Sequence, residues 1–89
     1  MGGPESRLVG LIAAMGRRRL GAYLCARMTN VRYLTGFTGS DALLLVDGSG
    51  AVLCTDGRYQ TQAREEARGA EIVITDRKWV TVARRLRAA

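Results

Sequence analysis

The segment Tyr33–Tyr59, YLTGFTGSDALLLVDGSGAVLCTDGRY, constrains the fold more than any other part of this chain. It joins two glycine-punctuated loops, GFTGS and TDGRY, through a β-hairpin. Ala42–Val46 is an unbroken apolar run, which predicts a strand buried on both faces. Asp47-Gly48-Ser49-Gly50 is a turn signal, because glycine accepts the positive φ that tight hairpin turns demand. Ala51–Thr55 returns as the next strand.

The flanking segments supply helices and further strands. Pro4 suits a first helical position, since its missing N–H would be unpaired there anyway. Leu8, Leu11, Ile12 and Met15 follow at helical spacing, and Gly16 ends a helix near Glu5–Met15. Gly21–Arg27 carries few charges and reads as a central strand. Thr29 or Asn30 caps a short helical turn through Thr35, closed by Gly36, with Val31 and Leu34 toward the core. Asp56 caps a helix over Gly57–Arg68. Its face of Tyr59, Ala63 and Ala67 is small enough to approach a sheet closely. Gln62, Arg64, Glu65 and Glu66 form its solvated side. Glu71–Thr75 is a fourth strand. Trp79, Val82, Ala83 and Leu86 mark a final amphipathic helix with Arg84, Arg85 and Arg87 turned away; Trp79 reads as core, the alternative being partial exposure or a role in dimer contacts.

This order predicts one α/β domain over residues 1–89, a mixed β-sheet flanked by helices. The third and fourth strands are linked through a helix, which allows a parallel crossover. A chain of 89 residues buries only about 60–65% of its unfolded surface, so the core is small.

Composition excludes several function classes. There is no histidine, which removes the commonest metal ligand and the commonest general base near neutral pH. No pattern among the eight Asp and Glu residues suggests a metal-holding cluster. No apolar run approaches the ~20 residues of a membrane span; Leu8–Ala14 is the longest candidate. The net charge of +6 comes almost wholly from arginine, with Lys78 the one lysine. The positives are spread over several elements, and no aromatic residues alternate with them, so a nucleic-acid partner is not expected. Cys25 and Cys54 each sit inside an apolar run and read as buried free thiols of a reducing, cytoplasmic environment. The opening MGGPES formally fits a myristoylation pattern through Gly2 and Ser6, a six-residue match of low information.

Two linked motifs carry a family resemblance. NVRYLTGFTGSDALLLVD and LCTDGRYQTQAREEA together resemble the N-terminal domain of the creatinase, prolidase and Xaa-Pro aminopeptidase family. The resemblance runs from about Gly21 to the C-terminus and is tightest over Asn30–Ala67. It implies a mixed-sheet α/β domain similar in outline to ribonuclease H. It also implies that catalysis belongs to a separate "pita-bread" domain, in which Asp, Glu and His hold two divalent ions (Mn, Co or Zn). That domain is absent from this sequence, and the family continues into one more strand after the last helix. The resemblance therefore implies a truncated domain with no catalytic residue, no metal ligand and no cofactor of its own.

The implied role is to help substrate access and oligomer assembly for Xaa-Pro bond hydrolysis. The implied partners are a C-terminal catalytic domain, further subunits and a proline-containing peptide, with no nucleic acid and no membrane. In the family's oligomers the loop corresponding to GFTGS approaches a neighbour's active site. By that resemblance Phe37 is an apolar wall, Ser40 and Asp41 are polar contacts, and Arg58 grips a substrate carboxylate. The same residues also have structural roles open to them. Phe37 can be core, Ser40 or Asp41 can cap the next strand, and Asp56 can cap a helix with Arg58 paired locally. The alternative function is a stand-alone module of the same fold that binds a peptide or an acidic protein.

Overall fold

The computed structural model describes residues 3–88. Gly2, and with it the myristoylation pattern, lies outside the described residues. The elements are α1 (Pro4–Arg17), β1 (Ala22–Cys25), α2 (Met28–Thr35), β2 (Leu43–Asp47), β3 (Gly50–Thr55), a 3-10 turn (Gly57–Tyr59), α3 (Gln60–Glu66), β4 (Glu71–Ile74) and α4 (Lys78–Ala88). The four strands form one sheet in the order β1-β2-β3-β4. The first three pair antiparallel, and β3 pairs with β4 in parallel. This is the mixed α/β architecture that the sequence predicts.

β2 and β3 are the middle of the sheet. Leu43, Leu44, Leu45 and Val46 are all buried, as an unbroken apolar run requires when both faces are covered. The pleat divides them. Leu44, Val46, Ala51 and Leu53 face α1, α2 and α3 within the larger core, with Leu8, Met15, Val31, Leu34, Phe37 and Ala63. Leu43, Leu45 and Cys54 face α4 in a smaller core closed by Val82. In the hairpin turn Asp47 pairs with Gly50. Its carboxylate accepts from the Ser49 amide and hydroxyl at 2.8 and 2.6 Å, which holds it below the usual carboxylate range. The left-handed backbone here belongs to Gly50, not to Gly48.

Four expectations need correction. β1 is an edge strand rather than a central one: it pairs with β2 alone, and Ala22 and Leu24 stay exposed. α1 runs through Gly16 to Arg17, and Arg19 takes the positive φ (57°) that closes it. α2 starts at Met28, before Thr29 and Asn30, and no side chain caps it; Gly36 does close it, at φ 85°. α4 is turned so that Val82 alone of the expected stripe is buried, and Trp79 is 60% exposed.

Candidate functional site

The two glycine loops meet at one end of the sheet, where β2 begins and β3 ends. Loop 36–41 delivers the chain into β2, and residues 55–59 carry it from β3 into α3. The Thr55 hydroxyl, fully buried, donates to the Asp41 carbonyl at 2.6 Å and ties one loop to the other.

The polar side chains of loop 36–41, Thr38, Ser40 and Asp41, each have a defined partner. The Thr35 hydroxyl accepts from the Phe37 amide at 3.1 Å and donates to the Val31 carbonyl at 2.7 Å. Thr38 donates its amide and hydroxyl to Glu66 at 2.8 and 2.9 Å, and Gln62 donates to both residues. The Thr38 amide is the main reason that the Glu66 carboxyl titrates below its ordinary value. Ser40 is hydrogen-bonded to the Tyr59 hydroxyl. Gln62 and Glu66 are thus clamps on the loop rather than members of an idle solvated face.

Phe37 is fully buried. Its ring meets Tyr59 edge-on, with centroids 5.7 Å apart and planes at 89°. It also lies against Gly39, where a Cβ would collide with the ring. Glycine is required there by close approach, not by its backbone angle. Phe37 therefore supports the loop from beneath, and the groups at the surface are Ser40, Asp41, Arg58 and part of Tyr59.

Four charged side chains complete the site. Asp56 takes the N-cap position expected of it, accepting from the Arg58 amide at 3.0 Å. Its two oxygens also receive the Arg58 guanidinium in a two-pronged contact at 2.9 and 2.8 Å. That contact lowers the Asp56 carboxyl to about 2 and raises Arg58 further above its usual value. Arg58 lies 5.1 Å from the Tyr59 ring centre and 3.5 Å from Asp41 Oδ2. Lys78 Nζ donates to the same Asp41 oxygen at 3.1 Å. The Nε and Nη2 prongs of the guanidinium are thus held by Asp56, while the Arg58 side chain remains 66% exposed. Lys78, Thr38 and Glu66 were missed as site residues by sequence reasoning. The one available signal was that the chain places its single lysine here.

The site does not fit a metal centre. Two carboxylates and two cations alternate, so the positions beside the carboxylates are filled by Arg58 and Lys78. Among the described residues no three His, Cys, Asp or Glu side chains converge on one point. The arrangement is a neutral, hydrogen-bonded platform with an exposed serine and a partly exposed aspartate.

Residues 7–89 match the family described as Creatinase/Prolidase N-terminal domain. The chain belongs to this family. Among solved structures, this creatinase/prolidase domain resembles an Xaa-Pro aminopeptidase from Streptococcus pyogenes, at a TM-score of 0.89 and 35% identity over 96% of this chain and 66% of that one. It also resembles the N-terminal domain of the cytoplasmic peptidase PepQ from Mycobacterium tuberculosis, at a TM-score of 0.81 and 41% identity over 91% and 64%. Among curated proteins it is 43% identical over 58 residues to the uncharacterized peptidase YqhT of Bacillus subtilis, covering 65% of this chain. The matched part spans 16% of YqhT, so most of that relative has no counterpart in this sequence. The solved relatives share the mixed sheet, and creatinase/prolidase N-terminal domains are parts of larger peptidases.

Proposed function

We propose that this domain is a non-catalytic N-terminal part of an Xaa-Pro aminopeptidase or Xaa-Pro dipeptidase. In this reading it shapes substrate access and contributes to subunit assembly. Hydrolysis of the Xaa-Pro bond, and the divalent metal ions it uses, belong to a separate catalytic domain. Ser40 and Asp41 offer polar contacts to a proline-containing peptide bound in a neighbouring subunit. Phe37 and Tyr59 set the height of the loop from beneath it. Arg58 fixes Asp56 and leans toward Asp41, so its effect on a peptide is electrostatic and indirect. The cytoplasm is the compartment proposed, in keeping with two buried free thiols and with the description of PepQ.

One observation carries this reading. Loop 36–41 is pinned on all sides, by Glu66, Tyr59, Thr55 and Lys78, yet Ser40 and Asp41 still reach solvent. A loop held this firmly presents its side chains at fixed positions, so binding does not have to order it. The test is steady-state kinetics on a complete peptidase that carries this domain. Replacing Ser40 and Asp41 by alanine is expected to raise KM for an Xaa-Pro peptide about tenfold while kcat holds. An unchanged KM would contradict the role.

A further inference from the structure

The exposed Ser40 hydroxyl meets the Tyr59 hydroxyl and, among the described residues, no other group. Tyr59 is half-buried and held from several directions. Its amide donates to the Asp56 carbonyl at 3.0 Å. Phe37 packs edge-on against its ring, and the Arg58 guanidinium carbon lies 5.1 Å from the ring centre. Arg58 is in turn gripped by both oxygens of Asp56. A ring fixed in this way brings its phenol oxygen to one place, so Ser40 has a partner that does not wander.

The direction of donation decides what Ser40 can do. Each hydroxyl carries one proton and two lone pairs. A phenol is a stronger acid and a weaker base than an aliphatic alcohol, which favours Tyr59 as donor and Ser40 as acceptor. Ser40 then keeps its own proton for a group outside the domain, and that group must be an acceptor. The surrounding charges say which kind. Asp41 and Asp56 balance Arg58 and Lys78, so the platform exerts no net pull on a carboxylate. Asp41, the next residue, also sets a carboxylate of its own beside Ser40. A neutral carbonyl oxygen suits this position and a second carboxylate does not.

We infer that Tyr59 is a positioning residue whose hydroxyl makes Ser40 a directed hydrogen-bond donor to a neutral carbonyl oxygen of the bound peptide. This inference rests on the peptidase role proposed above and names the contact that role leaves open. Tyr59 acts through Ser40 and touches no reacting atom.

The experiment is a double-mutant cycle in a complete peptidase that carries this domain, read by steady-state kinetics on an Xaa-Pro peptide. Tyr59→Phe keeps the ring against Phe37 and Arg58 and removes only the hydroxyl, so the variant should melt close to the parent. It should raise KM about threefold with kcat held, and Ser40→Ala should raise KM at least as much. In the Ser40→Ala background Tyr59→Phe should have no further effect, because the contact it serves is already gone. Both rises should be the same for a peptide with a free C-terminal carboxylate and for its C-terminal amide. A Tyr59→Phe enzyme with unchanged KM, beside a Ser40→Ala enzyme with raised KM, would overturn the inference and leave the peptidase role standing. A Tyr59→Phe effect that persists in full without Ser40 would make the tyrosine merely structural and would overturn it as well. So would a Ser40→Ala effect seen only with the free carboxylate. Ser40→Ala without effect on KM also overturns the inference; only if Ser40→Ala/Asp41→Ala is equally without effect does the peptidase role fall with it.

Discussion

Lys78 and Asp41 stand 37 positions apart in sequence and are joined by one hydrogen bond of 3.1 Å. The bond links the first turn of α4, on one side of the sheet, to the loop that enters β2. The lysine side chain is 17% exposed and the aspartate 46%, so screening limits what the pair contributes. Replacing Lys78 by methionine should cost only about 0.5–1 kcal/mol in urea unfolding. The same change should speed amide hydrogen exchange at Ser40 and Asp41. Unchanged exchange there would mean that the lysine does not hold the loop.

Phe37 anchors the same loop from inside. It is fully buried against Tyr59 and Gly39. Phe37→Ala should cost about 3–5 kcal/mol, the usual range for emptying an aromatic core site. A domain this small has total stability of only about 5–10 kcal/mol, so the variant should lose a large share of it and melt well below the parent. A loss under about 1 kcal/mol, measured by chemical denaturation, would place the ring outside the core.

The glycines separate into three kinds. Gly36 has φ 85°, and a Cβ there would stand 3.0 Å from the Glu66 carbonyl oxygen. Gly36→Ala should therefore destabilise by about 1–2 kcal/mol. Gly39→Ala should cost about 1–3 kcal/mol, because the new methyl group displaces the Phe37 ring. Gly48 faces open space with no positive φ, so Gly48→Ala should be neutral or slightly stabilising. Thermal melts of the three variants would show this order, and a Gly48 variant as damaged as the other two would refute it.

Acid should act on Asp56 late. The Arg58 side chain, foremost through its hydrogen bonds, depresses the Asp56 carboxyl to about 2 in the folded chain. An unfolded aspartate titrates near about 3.9. The contribution of the pair is thus fully present above about pH 4 and is lost as pH falls toward 2. Carbon-13 shifts of the Asp56 carboxyl should show a midpoint well under 3.9 in the native chain. The Arg58→Ala variant should move that midpoint upward.

The two thiols should be inert. Cys54 is fully buried, and burial, ahead of the nearby charges, pushes its thiol above the ordinary value. Cys25 is 3% exposed. Neither should react with Ellman's reagent at pH 8 until denaturant is added. Fast labelling of the native chain would show that one of them is accessible.

The sequence was most readable where the signal is local. The apolar run of β2, the Asp47–Gly50 turn and the Asp56 cap each depend on residues within a few positions, and each stands where expected. It was less readable where a choice of partner decides. The stripe Trp79–Leu86 does lie on one side of α4, but hydrophobic periodicity cannot say which side meets the sheet. The side that meets the sheet instead sets Lys78 beside Asp41 and Arg85 beside Glu71. β1 shows the same limit, since a strand short of charges can sit at an edge when its outward residues are small or left open, as Ala22 and Leu24 are. The clamp of Glu66 on Thr38 spans 28 residues and leaves no trace in local spacing.

On the proposed function this domain holds a substrate-facing loop and leaves hydrolysis to a separate catalytic domain. That division is tested most directly by assaying the purified chain on Xaa-Pro dipeptides and longer Xaa-Pro peptides with added Mn, Co or Zn, beside a complete peptidase of the family. The chain alone is predicted to give no turnover above buffer while the complete enzyme cleaves. Hydrolysis that co-purifies with this chain through successive columns, and that a Ser40→Ala/Asp41→Ala variant abolishes, would contradict the account.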